Sequence, residues 1–353
     1  MIWFSSFRQR PQGQTSKESR DQFDGCPFTI RQLNRTTYLI RENDRFGEKP
    51  HIYVKKHTET LPGGQTASVL IVNDTGCGTS APDNTSKSRE WNISTFIDHH
   101  LNATGDTLYL IILSHCHYDH ILGLSPILRP AKALGEPQSS HVLIASSSHA
   151  RSFLEPRANL REHSLCNSMG LHCPSYNTTI WTPHNQRLTI SHPRLGLQMH
   201  LPVTTLHTPG HTPDGLSWYD EEERALYVGD SFYEAPAPIL FPNEGNLSDW
   251  WRSVNTLISF VNENNKEKGV SRVTLSAGHV TVGVDAMDCL MDVREFVKRV
   301  LRDEVRFTKQ PAKRGERFGF WSEEGGRFSL GAPLKVMEEG RAGIPGEEWR
   351  KSV

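Results

Sequence analysis

The segment Ser114-His115-Cys116-His117-Tyr118-Asp119-His120 concentrates the chemistry of this chain. Three imidazoles and one carboxylate fall in the pattern HxHxDH, and these are the natural ligands of zinc and related divalent ions. With His and Asp each about 1 in 20, composition alone gives this pattern by chance on the order of 1 time in 500. A solvated turn with incidental histidines is therefore the weaker reading. Three further signals follow: His207-Thr208-Pro209-Gly210-His211-Thr212-Pro213, Gly229-Asp230 and Ala277-Gly278-His279.

Each of these segments comes just after an apolar run. Leu108–Leu113 is six apolar residues, the pattern of a strand buried on both faces. Strands are also predicted at 37–40, 52–54, 68–72, 142–144, 187–191, 197–206, 216–219, 225–228 and 273–275 from their β-branched and aromatic content. A rigid sheet that holds loops at strand ends can bring distant ligands to one place. A short helix is predicted over 93–100. Ser248 is placed as the cap of a helix carrying Trp251, Val254, Leu257, Ile258 and Val261, and a last amphipathic helix runs through Met287, Leu290, Met291, Val297 and Leu301. Residues 156–184 are read as an insertion loop with room for a helical turn, and 235–246 as a Pro-rich loop. The expected organisation is an N-terminal arm over 1–27, a catalytic domain over 28–305 and a C-terminal extension over 306–353.

The 353 residues carry 39 Lys+Arg against 40 Asp+Glu, a net charge of −1. This balance argues against a nucleic-acid binder that works through a strong basic field. No apolar run approaches the ~18–20 residues of a membrane span. The opening Met1-Ile2-Trp3-Phe4 turns polar at once, unlike a secretory signal. The six cysteines, Cys26, Cys77, Cys116, Cys166, Cys173 and Cys289, form no CxxC pair and are too sparse for a disulfide scaffold. A reducing, cytoplasmic setting is expected.

The ordered set HxHxDH, His, Asp, His resembles the metallo-β-lactamase superfamily, and HTPGHT is most similar to its glyoxalase II and lactonase-like branches. The resemblance spans about residues 28–305. It implies an α/β fold, the four-layer αββα sandwich, as a single large domain with a C-terminal tail. It further implies that His115, His117 and His211 bind one metal, that Asp119, His120 and His279 bind a second, and that Asp230 bridges both. Asp74, in Asp74-Thr75-Gly76, matches a residue that buttresses the site without touching metal. The implied cofactor is two zinc ions, with iron or manganese as other candidates.

Two metals can lower the pKa of a water held between them, giving a hydroxide that attacks a carbonyl. The expected activity is hydrolysis of a lactone, lactam or ester. Asp119 would orient the nucleophile and pass a proton to the leaving group. Tyr233, three residues after Asp230, matches a lactonase tyrosine that points at the substrate carbonyl. The expected partner is a small carbonyl compound, with no nucleic acid and no membrane. Four other readings compete: a glyoxalase II-like thioester hydrolase, a mononuclear iron sulfur dioxygenase, a nuclease, and a binding or scaffold protein with a lapsed site. The nuclease is disfavoured by the short gap from Asp230 to His279 and by the neutral charge, and the scaffold because no ligand position is lost. His207 is read as a structural residue near the site, His184, His192 and His200 as surface or strand residues, and Cys116 as a buried spacer. The arginines of the extension are read as a balanced surface, and Asp214 departs from the glycine common in relatives.

Overall fold

The computed structural model describes residues 25–60, 63–84, 90–105, 107–129, 141–193 and 195–351. The arm over 1–27 lies almost wholly outside them. The chain forms two compact units. The first comprises residues 1–148, 154–182 and 187–202, and the second residues 149–153, 183–186 and 203–353.

The first unit is built on a seven-stranded sheet, in the order Phe28–Gln32, Thr37–Glu42, His51–Thr60, Thr66–Asn73, Leu108–Ile112, Val142–Ser147 and Ile180–Thr182. The first four strands pair antiparallel, and the later ones parallel. Leu108–Ile112 lies inside the sheet, buried at every position, which explains its unbroken apolar run. The helix Ile93–Leu101 starts at a capping box in which Asn92 accepts from the Thr95 N–H and the Thr95 hydroxyl accepts from the Asn92 N–H.

In the second unit the end of the strand Gln198–His207 pairs antiparallel with Leu216–Asp220, from Val203↔Asp220 to His207↔Leu216. Ala225–Tyr227 follows and pairs parallel with Thr274–Ser276. The helix Leu247–Asn264 buries Leu247, Trp250, Trp251, Val254, Leu257 and Val261 on one face. Its cap is Asn246, not Ser248: the Asn246 side chain accepts from the Asp249 N–H at 2.9 Å. The helix Ala286–Leu301 is capped by Asp285 in the same way.

The C-terminal extension is folded. Phe307–Lys313, Glu316–Ser322 and Ser329–Pro333 form a sheet with Ile239–Leu240, inside the predicted Pro-rich loop. Phe318, Trp321, Phe328 and Leu330 bury there, so apolar anchors scattered in sequence gather in space. The helix Leu334–Gly343 packs on Leu247–Asn264 so closely that a Cβ on Gly340 would come within 2.6 Å of the Leu247 side chain. The arginines of this segment pair with acids, Arg314 with Glu244 and Arg327 with Glu234, each at 2.7 Å. Residues 156–184 hold more than one helical turn: the short helices Arg157–His163 and Cys166–Met169 and the strand Ile180–Thr182.

Candidate metal centre

In the first unit, the parallel strands Thr66–Asn73 and Leu108–Ile112 end side by side, with Asn73 opposite Ile112. Asp74 follows at φ 60°, a left-handed conformation that Asp tolerates better than most residues. From there its carboxylate gathers three donors. Oδ1 accepts the Ser114 N–H at 2.7 Å, while Oδ2 accepts the Ser114 hydroxyl at 2.7 Å and Nδ1 of His120 at 2.9 Å. Asp74 therefore holds Ser114 and the His120 ring in place, an arrangement that suits a residue orienting metal-binding imidazoles.

The tautomers follow. A carboxylate accepting at Nδ1 fixes the proton there and leaves Nε2 of His120 as the bare nitrogen. The Ser114 hydroxyl, already donating to Asp74, faces Nδ1 of His115 at 3.1 Å and can only accept from it, so His115 also presents Nε2. That nitrogen lies 3.0 Å from Nδ1 of His117, and the His115 and His120 rings are 4.2 Å apart between centroids. Nε2 of His120 is 3.5 Å from Oδ2 of Asp119. The Thr75 N–H and hydroxyl both donate to the His120 carbonyl, at 2.7 and 2.9 Å. Beside this turn the buried Glu42 carboxylate accepts the Cys77 and Thr79 N–H groups, each at 2.7 Å. Burial outweighs those hydrogen bonds and pushes Glu42 up to about 7.

In the second unit, the turn after His207 reaches the helix Leu247–Asn264. Gly210 sits at φ 146°, and a Cβ there would come within 2.4 Å of Trp250 Cα, so only glycine fits. The Ser253 hydroxyl and Asn246 N–H clamp the Pro209 and Gly210 carbonyls at 2.7 and 2.8 Å. His211 then directs Nδ1 at the Leu240 carbonyl, 2.7 Å away, which again leaves Nε2 bare. Asp230 and His279 follow the parallel strands Ala225–Tyr227 and Thr274–Ser276, and the Gly278 N–H donates to the Gly229 carbonyl at 2.8 Å. Nε2 of His279 is 3.4 Å from Oδ2 of Asp230. Tyr233, 1% exposed, packs edge-on to the His279 ring at 5.4 Å between centroids.

His279 is held by an unusual turn. Val280 has φ 51°, and the Thr281 N–H reaches back to the His279 carbonyl at 2.5 Å, closing a three-residue ring. A β-branched residue in that region is strained. The Thr281 hydroxyl accepts the Glu234 N–H at 2.8 Å and helps to hold the turn.

These donor sets fit metal ions. Two ligand atoms ~2.0–2.1 Å from one tetrahedral ion are about 3.3 Å apart. The His115–His117, Asp119–His120 and Asp230–His279 separations of 3.0, 3.5 and 3.4 Å bracket that value. All seven predicted ligands are buried. The first unit brings His115, His117, Asp119 and His120 together, and the second brings Asp230 and His279 together with Tyr233 beside them.

Other histidines stand apart from these sets. His207 stacks on His149 at 4.4 Å, and its backbone N–H donates to Nδ1 of His184 at 3.1 Å. Burial, then the charges of His149 and His184, push His207 down to about 4. His192 is buried rather than on the surface, whereas His184 and His200 are exposed. Cys116 is buried, as a spacer would be. Sequence reasoning does not single out Ser114 or Glu42. Ser114 sits directly before the first histidine, but its role depends on Asp74, forty residues earlier.

Comparison with known proteins bears on the family of the chain. One curated relative, from Aspergillus versicolor, is 29% identical over 329 residues, covering 89% of this chain and 88% of its own, and bears the name "Putative transcription factor avaE". Among solved structures, a metallo-beta-lactamase from Pontibacter korlensis has TM-score 0.45 and 15% identity, over 75% of this chain and 96% of its own. A metallo-beta-lactamase family protein from Thermus thermophilus, TTHA1429, has TM-score 0.44 and 18% identity, over 77% and 84%. TTHA1623, solved in a di-iron-bound form, has TM-score 0.41 and 17% identity, over 69% and 93%. The metallo-beta-lactamase superfamily profile matches residues 63–268, more than half of the chain and the whole span from the Asp74 turn through Asp230. With its α/β sheets and its buried His and Asp sets, this chain belongs to the metallo-β-lactamase superfamily, the family of the αββα sandwich.

Proposed function

We propose that the chain is a two-metal hydrolase of a small carbonyl substrate, a lactone, lactam or ester. In this reading His115, His117 and His211 would hold one zinc ion, and Asp119, His120 and His279 would hold the second with Asp230; Asp230 would be the carboxylate shared by the two. The observation that carries it is the oxygen facing Nδ1 of each of His115, His120 and His211, which places the ring proton there and leaves Nε2 unprotonated, the form that ligates a metal. Bound there, the ions would supply Lewis acidity and lower the pKa of a water.

The chain's own residues have separable tasks. Asp74 and Ser114 hold the imidazoles in register. Asp119 orients the attacking water and returns a proton to the leaving group. Tyr233, pinned against His279, donates its hydroxyl to the substrate oxygen. The balanced charge supports this enzymatic reading over the transcriptional role named for the Aspergillus versicolor relative.

Elemental analysis of the purified chain, then a screen of lactones, lactams, esters, thioesters and phosphodiesters, tests the proposal. Two ions per chain and carbonyl hydrolysis are expected, and Asp230→Ala should lower metal content and abolish turnover together. A single iron with oxygen-consuming turnover would replace the proposal with a dioxygenase. An Asp230→Ala variant that keeps both metals and near-normal rates would remove Asp230 from the site.

A further inference from the structure

Residues 157–173 of the first unit build a charged hollow of their own. The helix Arg157–His163 places Arg157 and Arg161 four residues apart, on one face. The short helix Cys166–Met169 ends at Gly170, whose φ of 64° turns the chain, and the Leu171 N–H donates to the Cys166 carbonyl at 2.8 Å. Leu171, His172 and Cys173 thereby come back against the arginine face. Arg157 fastens them there by donating to the Cys173 carbonyl at 3.4 Å. The result is a cavity of about 300 Å³ lined by Arg157, Ala158, Arg161, Leu171, His172 and Cys173. That volume lies at the small end of ligand pockets. None of the candidate metal ligands lines it.

The charge of this cavity is of one sign. Its lining holds two guanidinium groups and an imidazole, and no acid. Among the described residues neither Arg157 nor Arg161 pairs with an acid, whereas Arg299, Arg314, Arg327 and Arg341 all do. Glu162, beside Arg161 in the helix, instead accepts the Asn167 side chain at 3.4 Å. Like charges at this helical spacing repel each other, so the arginine pair costs stability until an anion comes between them. Arg157 spends one N–H on Cys173 and keeps the rest of its fork for a ligand. Ala158 and Leu171 add a small apolar wall. Behind it the structure is fixed: Cys173 is buried, the Ser164 hydroxyl donates to its Sγ at 3.7 Å, and the Ser164 carbonyl accepts the Tyr118 N–H at 2.9 Å.

We propose that this cavity binds a small organic oxyanion, a carboxylate or a phosphate monoester, at a site separate from the metal ligands. The oxyanion lies between Arg157 and Arg161, whose planar forks match the geometry of both groups. His172 adds a third N–H donor. The body of the ligand rests on Ala158 and Leu171.

The test treats the full chain with phenylglyoxal, which modifies exposed arginines, and reads each arginine by peptide-mass analysis. Benzoate and phenyl phosphate are the anionic probes, and benzamide is the neutral match of benzoate. At least one anion should slow modification of Arg157 and Arg161 but not of Arg317, an exposed arginine that faces Glu338. The anion that protects at the lower concentration identifies carboxylate or phosphate as the group the site takes. Benzamide should protect neither arginine. Arg157 is exposed, so Arg157→Gln leaves the core in place. In that variant the anion concentration that half-protects Arg161 should rise at least about tenfold, the scale of losing one hydrogen bond to a charged group. No protection by millimolar benzoate or phenyl phosphate, equal protection by benzamide, equal protection of Arg317, or an unshifted half-protection in Arg157→Gln would each overturn the proposal.

Discussion

Replacing Asp74 with Asn probes how far the ligands depend on a residue that does not itself join them. Asn tolerates the left-handed backbone at φ 60° about as well as Asp, so the change alters charge and not conformation. Alanine would add about 1–2 kcal/mol of backbone cost and confuse the result. The amide oxygen of Asn can keep the Ser114 N–H. Its NH₂ would then face the Ser114 hydroxyl and Nδ1 of His120, both of which donate to Oδ2 in the native chain. The hydroxyl can rotate, but His120 can accept at Nδ1 only by moving its proton to Nε2, the nitrogen assigned to the ion. The substitution thus sets a buried hydrogen bond against a metal bond. Groups that orient metal-bound histidines are worth roughly 10–100-fold in affinity, or about 1.4–2.8 kcal/mol. Competition with a chelator of known zinc affinity, on protein shown to be folded by thermal denaturation, reads this directly. The weaker-bound ion should be the one taking His120. Asp74→Asn binding both ions within twofold of the native chain would refute the tautomer argument.

Two predictions concern neighbouring groups. Tyr233→Phe keeps the ring that packs on His279 and removes one donor, so it should lower kcat about tenfold with metal content unchanged; wild-type kcat on the best substrate would leave Tyr233 a packing residue. Glu42 has its folded pKa raised from 4.5 to about 7 by burial, so the folded state holds its proton more tightly than the unfolded state does. Stability should therefore fall as pH rises from about 4.5 to 7 and level off above, by roughly 3 kcal/mol for this group. Urea unfolding at several pH values should show that decline in the native chain and a flatter course in Glu42→Gln, and parallel courses would show Glu42 ionised throughout.

The candidate metal ligands are readable in the sequence because each lies shortly beyond a strand with a plain signature. Leu108–Ile112 is apolar throughout, and Ala225–Tyr227 and Thr274–Ser276 end just before Asp230 and His279. The C-terminal strands are not readable in this way. Phe307–Lys313 is mostly exposed and holds Lys, Gln and Pro, so it forms through pairing with Glu316–Ser322 and not through local preference. The helix cap is ambiguous in sequence because Ser248 and Asn246 are both good caps, and the hydrogen bond from the Asn246 N–H to the Gly210 carbonyl accompanies the choice of Asn246.

Val280 gives the second unit a spring. A β-branched residue at φ 51° raises the energy of the closed turn by about 1–3 kcal/mol, and any local opening of residues 277–281 releases it. The segment carrying His279 should therefore breathe more often than the strand Thr274–Ser276 that leads into it, although most of both is buried. Relaxing the turn with Val280→Gly should slow hydrogen exchange at the Thr281 amide by about tenfold, the equivalent of 1.4 kcal/mol. The native sequence accepts a looser catch at the end of a stiff strand, which gives His279 a route in and out of its place without unfolding the sheet behind it.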